Sequence, residues 1–521
     1  MTRPTRWTRR GAIGAGIVAL WLVGLGVFAR RELSRGDTRS LAEAGMFVVP
    51  GAAFYSVEQG GAQIGFASST IDTTANGIRV DDYFIADLPV GGKLHRATAS
   101  SRVFLSRALA LRDFAVEIVS DAGPIRVNGR TEGDSALIFA IASGDEPADT
   151  QRVVTKGPVL LPTLVPLAVA LGSPPKVGKR YTIPVFDPTA MGPRDVSVVV
   201  RAESLFVVSD SATLDSETKR WRPARPDSVR AWEIVSERDG GFTGWVDADG
   251  RLVELTQPGN FVMRRMSYAV AYENWRLDGR ARGRTVTADE DIMESTAIAA
   301  SAPLGEKAIS RLRVRLDNVS LAGFDLDGTR QSLSGDTLTI ERERPEELTS
   351  SYTLPGGAAF RAKFAAELAA EPLLQSGAPA ISSLATRIAG GERDPRVVAE
   401  RINRWLYDSL SKEITFGVPN ATQVLASRRG DCNEHTQLYL ALARSIGIPA
   451  RSAAGLAYLR GKFYYHAWPE VYIGRWIAVD PTFGEFPADA AHIRFVNGGL
   501  ARQAELLRLI GNLKIDVLAK S

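Results

Sequence analysis

One thiol occurs in the 521 residues, Cys432, within Gly430-Asp431-Cys432-Asn433-Glu434-His435. A lone cysteine cannot close an internal disulfide, so the chemistry to expect of it is nucleophilic. His466 stands in His466-Ala467-Trp468, and Asp480 in Asp480-Pro481-Thr482. A thiol attacks carbonyl carbon well only as a thiolate, a form favoured by the amides at a helix N-terminus and by a neighbouring imidazole that holds the proton. His466 can be that base and Asp480 the carboxylate that fixes its tautomer.

These residues need particular elements to bring them together. A helix is predicted to start near Cys432, with Glu434 in its first turn, Leu438, Leu442 and Ile446 along one face, and Gly447 and Pro449 ending it. An earlier helix is predicted from an Asp394 cap and Pro395, with Val398, Ile402, Trp405, Leu406 and Leu410 as its apolar stripe. Two strands follow at 463–473 and 476–483, and alternation puts His466, Trp468, Glu470 and Tyr472 on one face. A two-residue loop at Gly474-Arg475 would set His466 opposite Phe483. A bulge, a longer loop or the bend at Pro481 must therefore bring Asp480 alongside.

Four blocks in order resemble the transglutaminase-like superfamily with its papain-like Cys-His-Asp triad: Gly430-Asp431-Cys432-x-Glu434-His435, the segment from Ala441 through Gly447-Ile448-Pro449 to Arg451, His466-Ala467-Trp468-x-Glu470-Val471, and Trp476-x-x-Val479-Asp480-Pro481-Thr482. The resemblance spans roughly residues 390–497. It implies Cys432 as nucleophile, His466 as general base and acid, Asp480 as orienter, and an α+β papain-like fold with the Cys432 helix packed on an antiparallel sheet. One oxyanion donor is then the Cys432 amide, and a side-chain donor is sought in Gln423 or Asn420. Papain-like enzymes place a glutamine six residues before the cysteine, where this chain has Ala426.

Other readings stand beside these. His435, at i+3 from Cys432, is either a rival base, half of a metal site, or a structural partner of Glu434 or the strand face. One Cys and four His in the chain argue against structural zinc, so no metal and no cofactor is expected. Asp431 is expected to support the site, Glu434 to sit in the first helical turn where the dipole favours it, and Trp468 to pack beneath the histidine. His95 and His492 have no evident constellation, although Asp489-x-x-His492 lies in a segment that could close over one end of the site.

The net charge of +4 is unevenly spread: residues 1–36, with seven Arg and Glu32, carry +6, and the remainder −2. The body thus lacks the basic surface that nucleic acid requires. Residues 11–29 are nineteen uncharged residues between arginines, long enough for a helix of roughly 28 Å to span a bilayer. A cleaved signal peptide and a twin-arginine signal are the alternatives. All three readings place the body outside the cytoplasm, and a retained anchor with a cytoplasmic N-terminus is expected.

The expected organisation is α+β: an anchor at 1–36, an antiparallel β-rich domain at 45–285 with a possible helix at 159–171, a β-rich connector at 300–350 ending in a solvated charged linker, the catalytic domain at 355–500, and a helical tail at 501–521. The expected function is hydrolysis of amides in peptide or peptidoglycan-type substrates through an acyl-enzyme. Transamidation, or a non-catalytic envelope scaffold, is the alternative. The partner of the β-rich region is not legible in the sequence.

Overall fold

Strands of residues 51–266 assemble mostly into one fourteen-stranded antiparallel sheet. The computed structural model describes residues 48–521 except 75, 145–147, 173–174, 188–191, 237–241, 279–285, 287–290, 306–307 and 416–419. Eight strands from Gly51–Gln59 to Asp149–Val154 form a meander, each beside its predecessor. On the other side of Gly51–Gln59 lie, in order, Phe261–Met266, Leu252–Gln257, Thr243–Asp247, Asp227–Ser236, Gly192–Val208 and Arg180–Asp187. Period-two alternation builds the inner face: Gly123–Glu132 buries Ile125, Val127 and Gly129 and exposes Arg126, Asn128 and Arg130.

The sheet curls until its ends meet. Phe186, in the last strand of the order, packs its ring 4.9 Å from that of Phe139 and 5.8 Å from that of Phe114. The apolar run expected as a helix at 159–171 closes this seam. Leu160 bridges to the Arg180–Asp187 strand through Leu160 N–H to Pro184 O (3.0 Å) and Phe186 N–H to Leu160 O (2.7 Å). Pro162–Leu164 and Val165–Gly172 then form a short helical plug between two apolar clusters.

The C-terminal half, expected to be catalytic, layers the helices Pro379–Ala389, Pro395–Ser409, Ala421–Ser427 and Cys432–Ser445 against a sheet of Ala450–Leu459, Lys462–Tyr472, Trp476–Ala478 and His492–Asn497. Asp394 caps Pro395–Ser409 by accepting from Arg396 N–H at 2.9 Å, and Val398, Ile402 and Leu406 are buried as the stripe requires. The other sheet face packs on a four-stranded sheet of Gln331–Ser334, Thr337–Glu341, Arg311–Asp317 and Lys514–Lys520.

Two expectations need correction. The tail at 501–521 is helical only to Leu509 and ends in a strand, Lys514–Lys520, whose β-branched Ile515 and Val517 pair along Arg311–Asp317. The charged end of the connector is not simply a solvated linker: Arg342 donates to Pro487 O at 2.8 Å, and the Glu343 side chain is buried near Arg330. The apolar segment at 11–29 lies outside the described residues. Among those described, no helix is long and apolar enough to cross a membrane.

Phe186→Ala should remove about 3–5 kcal/mol of stability by leaving a void where the sheet closes. Urea unfolding checks this, and a loss below about 1 kcal/mol would show that the seam does not hold the curl.

Candidate active site

The helix that presents Cys432 is started by its neighbours. Asp431 is the N-cap, accepting from Asn433 N–H at 2.9 Å, and Glu434 reaches back to accept from Asp431 N–H at 2.9 Å, completing a capping box. Gly430 makes room for that return. It has φ +155°, and a Cβ there would lie 2.2 Å from the Glu434 Cβ. The Cys432 amide, first in the helix, has no intrahelical acceptor and remains available as an oxyanion donor.

The His466 strand is clamped to this helix through one peptide. The Ala467 N–H donates to the Cys432 sulfur, while the Ala467 carbonyl accepts from Thr436 Oγ1 at 3.1 Å, one turn further along the helix. His466 lines the same cavity as Cys432. Its Nε2 donates to Asp480 Oδ2 at 2.7 Å, which leaves Nδ1 as the nitrogen to serve the thiol. Phe483 stacks on the imidazole, with centroids 4.8 Å apart and planes 6° apart.

Asp480 reaches this place by a longer loop. Tyr472 pairs with Trp476 across three loop residues, the ladder runs out after Glu470 opposite Ala478, and the chain then turns so that Asp480 and Glu485 exchange backbone bonds of 2.9 Å. The Asp480 carboxylate is fully buried and accepts four bonds. Oδ1 takes Thr482 N–H (2.7 Å) and Phe483 N–H (3.1 Å), and Oδ2 takes His466 Nε2 and His492 Nε2 (3.0 Å). Burial alone would raise its pKa, but the charge and bond of His466, and then those of His492, hold it well below the usual carboxylate range.

His492 had no constellation in the sequence, and the fold supplies one. Its Nδ1 faces Asp489 Oδ1 at 3.1 Å while its Nε2 faces Asp480. A neutral imidazole donates from one nitrogen only, so carboxylates on both sides call for the imidazolium. Burial pulls its pKa down, yet the bonds to Asp480 and Asp489 outweigh that and push it up to about 10. A strand bulge sets it in place. The register of Ala450–Leu459 against His492–Asn497 shifts at Gly455, where a Cβ would lie 2.0 Å from Ile493 O.

The thiol itself differs from expectation. Cys432 is partly accessible, but its sulfur is closely surrounded. Burial, followed by the Asp431 charge, pushes the thiol well above its ordinary range, opposed by the Ala467 N–H. In the resting site Cys432 is therefore protonated, and the helix start does not make it a standing thiolate. Burial and the adjacent Asp431 raise Glu434 to about 8, so it is largely protonated at neutral pH.

The remaining candidates go elsewhere. Gln423 does not line the cavity around Cys432. Its amide lies against turns of the large sheet, within 3.2 Å of Ala122 O, 3.1 Å of Ser143 Oγ and 3.2 Å of Gly144 N. Asn420 is absent from that cavity too and caps Ala421–Ser427, accepting from Thr422 N–H at 3.0 Å. Neither is placed to meet an oxyanion at Cys432, because capping and packing against the sheet take both side chains. The polar side chains that do line the cavity near the thiol include Asn433 and Thr482, whose hydroxyl is buried without a partner.

His435 turns inward, with Nδ1 2.7 Å from the Asp431 carbonyl, and burial lowers its pKa and keeps it neutral. That bond replaces the expected contacts with Glu434 or the strand face. Trp468 packs with its ring 6.0 Å from that of His466 and edge-on to His492 at 5.2 Å. His466, Asp480 and His492 form one group close enough to ligate a metal ion, and Glu485, Asp489 and His492 another. In both, an ion would have to displace the imidazole–carboxylate bonds already made.

Two measurements check these protonation states. Alkylation of Cys432 by iodoacetamide should still be accelerating above pH 8; a rate plateau below pH 6 would show a preformed thiolate. His492, with its folded pKa raised from 6.5 to about 10, adds stability that is complete below about pH 6.5 and fades as the pH climbs through 10. The stability gap between wild type and His492→Gln should accordingly narrow between those pH values in urea titrations, and a constant gap would remove the imidazolium.

Residues 382–481 match the model of the transglutaminase-like superfamily. No curated protein matches the chain. Among solved structures, a candidate cysteine protease from Cytophaga hutchinsonii is 17% identical over 42% of this chain and 90% of its own (TM-score 0.28). A beta-barrel-like protein of unknown function from Brucella abortus is 17% identical over 42% and 95% (TM-score 0.29), and a candidate protease from Parabacteroides distasonis 11% over 69% and 64% (TM-score 0.18). The match holds Cys432, His466 and Asp480 and stops short of His492, so the chain carries a transglutaminase-like domain at residues 382–481.

Proposed function

We propose that this chain is a thiol hydrolase of amide bonds, working outside the cytoplasm and held at a membrane by residues 11–29. The observation that carries the chemistry is the 2.7 Å bond from His466 Nε2 to Asp480, with His466 and Cys432 lining one cavity. Because the thiol rests protonated, its proton passes to His466 as Sγ attacks the carbonyl carbon, and Asp480 stabilises the imidazolium formed. The Cys432 amide faces the developing oxyanion. The C–N bond then breaks, the amine leaves with the proton from His466, and water opens the thioester by the same route in reverse.

The placement outside the cytoplasm rests on the arginine-flanked apolar segment. There, peptide and cell-wall amides are the expected substrates, and bulk water is the ready acceptor.

The test combines a thiol-directed amide probe with product analysis on a glutamine peptide offered together with a free amine. Native wild type should label at Cys432 and yield the acid, Cys432→Ala should do neither, and His466→Ala should lose about 10²–10⁴-fold in kcat/KM. An amine adduct would instead identify a transamidase. Equal labelling of native and denatured protein, without turnover, would leave a scaffold.

A further inference from the structure

Cys432 and His466 open into a cavity of about 1080 Å³ between the large sheet and the catalytic half, a volume at the upper end for small-molecule sites. The halves are joined at its edge by the short helix Ile292–Thr296. Asp291 accepts from Gly92 N–H at a turn of the sheet, and Glu294 accepts from Lys462 Nζ and the Tyr464 hydroxyl, both at 3.0 Å, on the His466 strand. Away from the thiol the walls are largely apolar, with Val57, Phe84, Leu88 and Met263 from the sheet, Met293 from the bridging helix, and Phe483 beside the imidazole.

The sheet wall is made of interior strands. Gly51–Gln59 is bonded to Ala62–Thr74 and Phe261–Met266, and Gly77–Val90 to Ala62–Thr74 and Lys93–Leu105. Their amides and carbonyls are engaged in those ladders, so this wall offers side chains and no open backbone edge. An extended peptide recognised by strand addition needs such an edge. Against methyl and phenyl groups its own amides would be stranded, at about 1–3 kcal/mol each. A hydrocarbon chain has no such groups and gains about 0.8 kcal/mol for each methylene taken from water.

We infer that the acyl group taken by Cys432 is a long aliphatic one, and that the substrate is a long-chain N-acyl amide whose chain lies in this cavity. The inference rests on the thiol-hydrolase reading and names the acyl half of its substrate. Sγ bonds to the carbonyl carbon, the C–N bond breaks, the amine departs with the proton held by His466, and water releases the fatty acid and restores the thiol.

Binding of N-acyl glycine amides of four, eight and twelve carbons to the full-length Cys432→Ala protein tests this. Affinity should rise at least about tenfold from the four- to the twelve-carbon chain. Adding Met263→Trp, which narrows the apolar wall, should cut that ratio about tenfold. Equal affinities along the series, no binding, or tighter binding of an apolar peptide amide would overturn the inference. Because binding is read without the thiol, its outcome is separate from wild-type turnover, which tests the reading beneath it.

Discussion

A carboxylate with no access to water organises the catalytic half. An ionised group buried this deeply is costly unless every lone pair is met, and Asp480 is met four times: by two backbone amides of its own turn and by two imidazoles. Each donor imposes a constraint on the fold. The amides require the tight turn through Pro481 to Phe483, His466 requires the hairpin to bring its strand alongside, and His492 requires a strand contributed after the turn. Asp489 balances the second imidazole, so a carboxylate, an imidazolium and a second carboxylate stand in line, with His466 at the open end.

That line is connected to Cys432 by a single peptide. The Ala467 N–H reaches the sulfur and its carbonyl takes the Thr436 hydroxyl, so the strand bearing His466 is pinned to the helix bearing the thiol at two points one turn apart. The rest of the molecule extends this arrangement outward. Buried Glu470, on the same strand, is paired with Arg451 at 2.6 Å and Arg494 at 2.9 Å, and Arg494 in turn holds the connector through the Asp325 and Asp327 carbonyls. The connector and C-terminal strand are therefore structural parts of the catalytic half.

Much of this was legible where the signal is local. The Asp394 cap with Pro395 and the place of Glu434 in the first turn of the Cys432 helix are short-range chemistry and formed as the residue types dictate. The expectations that failed were those involving distant partners. Gln423 was a plausible donor by its spacing from Cys432, but it meets turns of the large sheet some 280 residues earlier in the chain. His492 looked isolated because, although Asp489 stands three residues before it, Asp480 reaches its other nitrogen only through the turn at the end of the hairpin.

By itself the sequence determined which elements hold Cys432, His466 and Asp480, because caps, glycine stops and strand alternation act over a few residues. Tertiary structure decided how those groups behave. It left the thiol protonated, since desolvation and the Asp431 charge depend on what surrounds the sulfur. It made His492 a standing cation, since that needs two carboxylates converging on one ring. It also set Cys432 at an apolar cavity, because only the docking of the large sheet against the C-terminal half brings Val57, Phe84 and Met263 to line the same space.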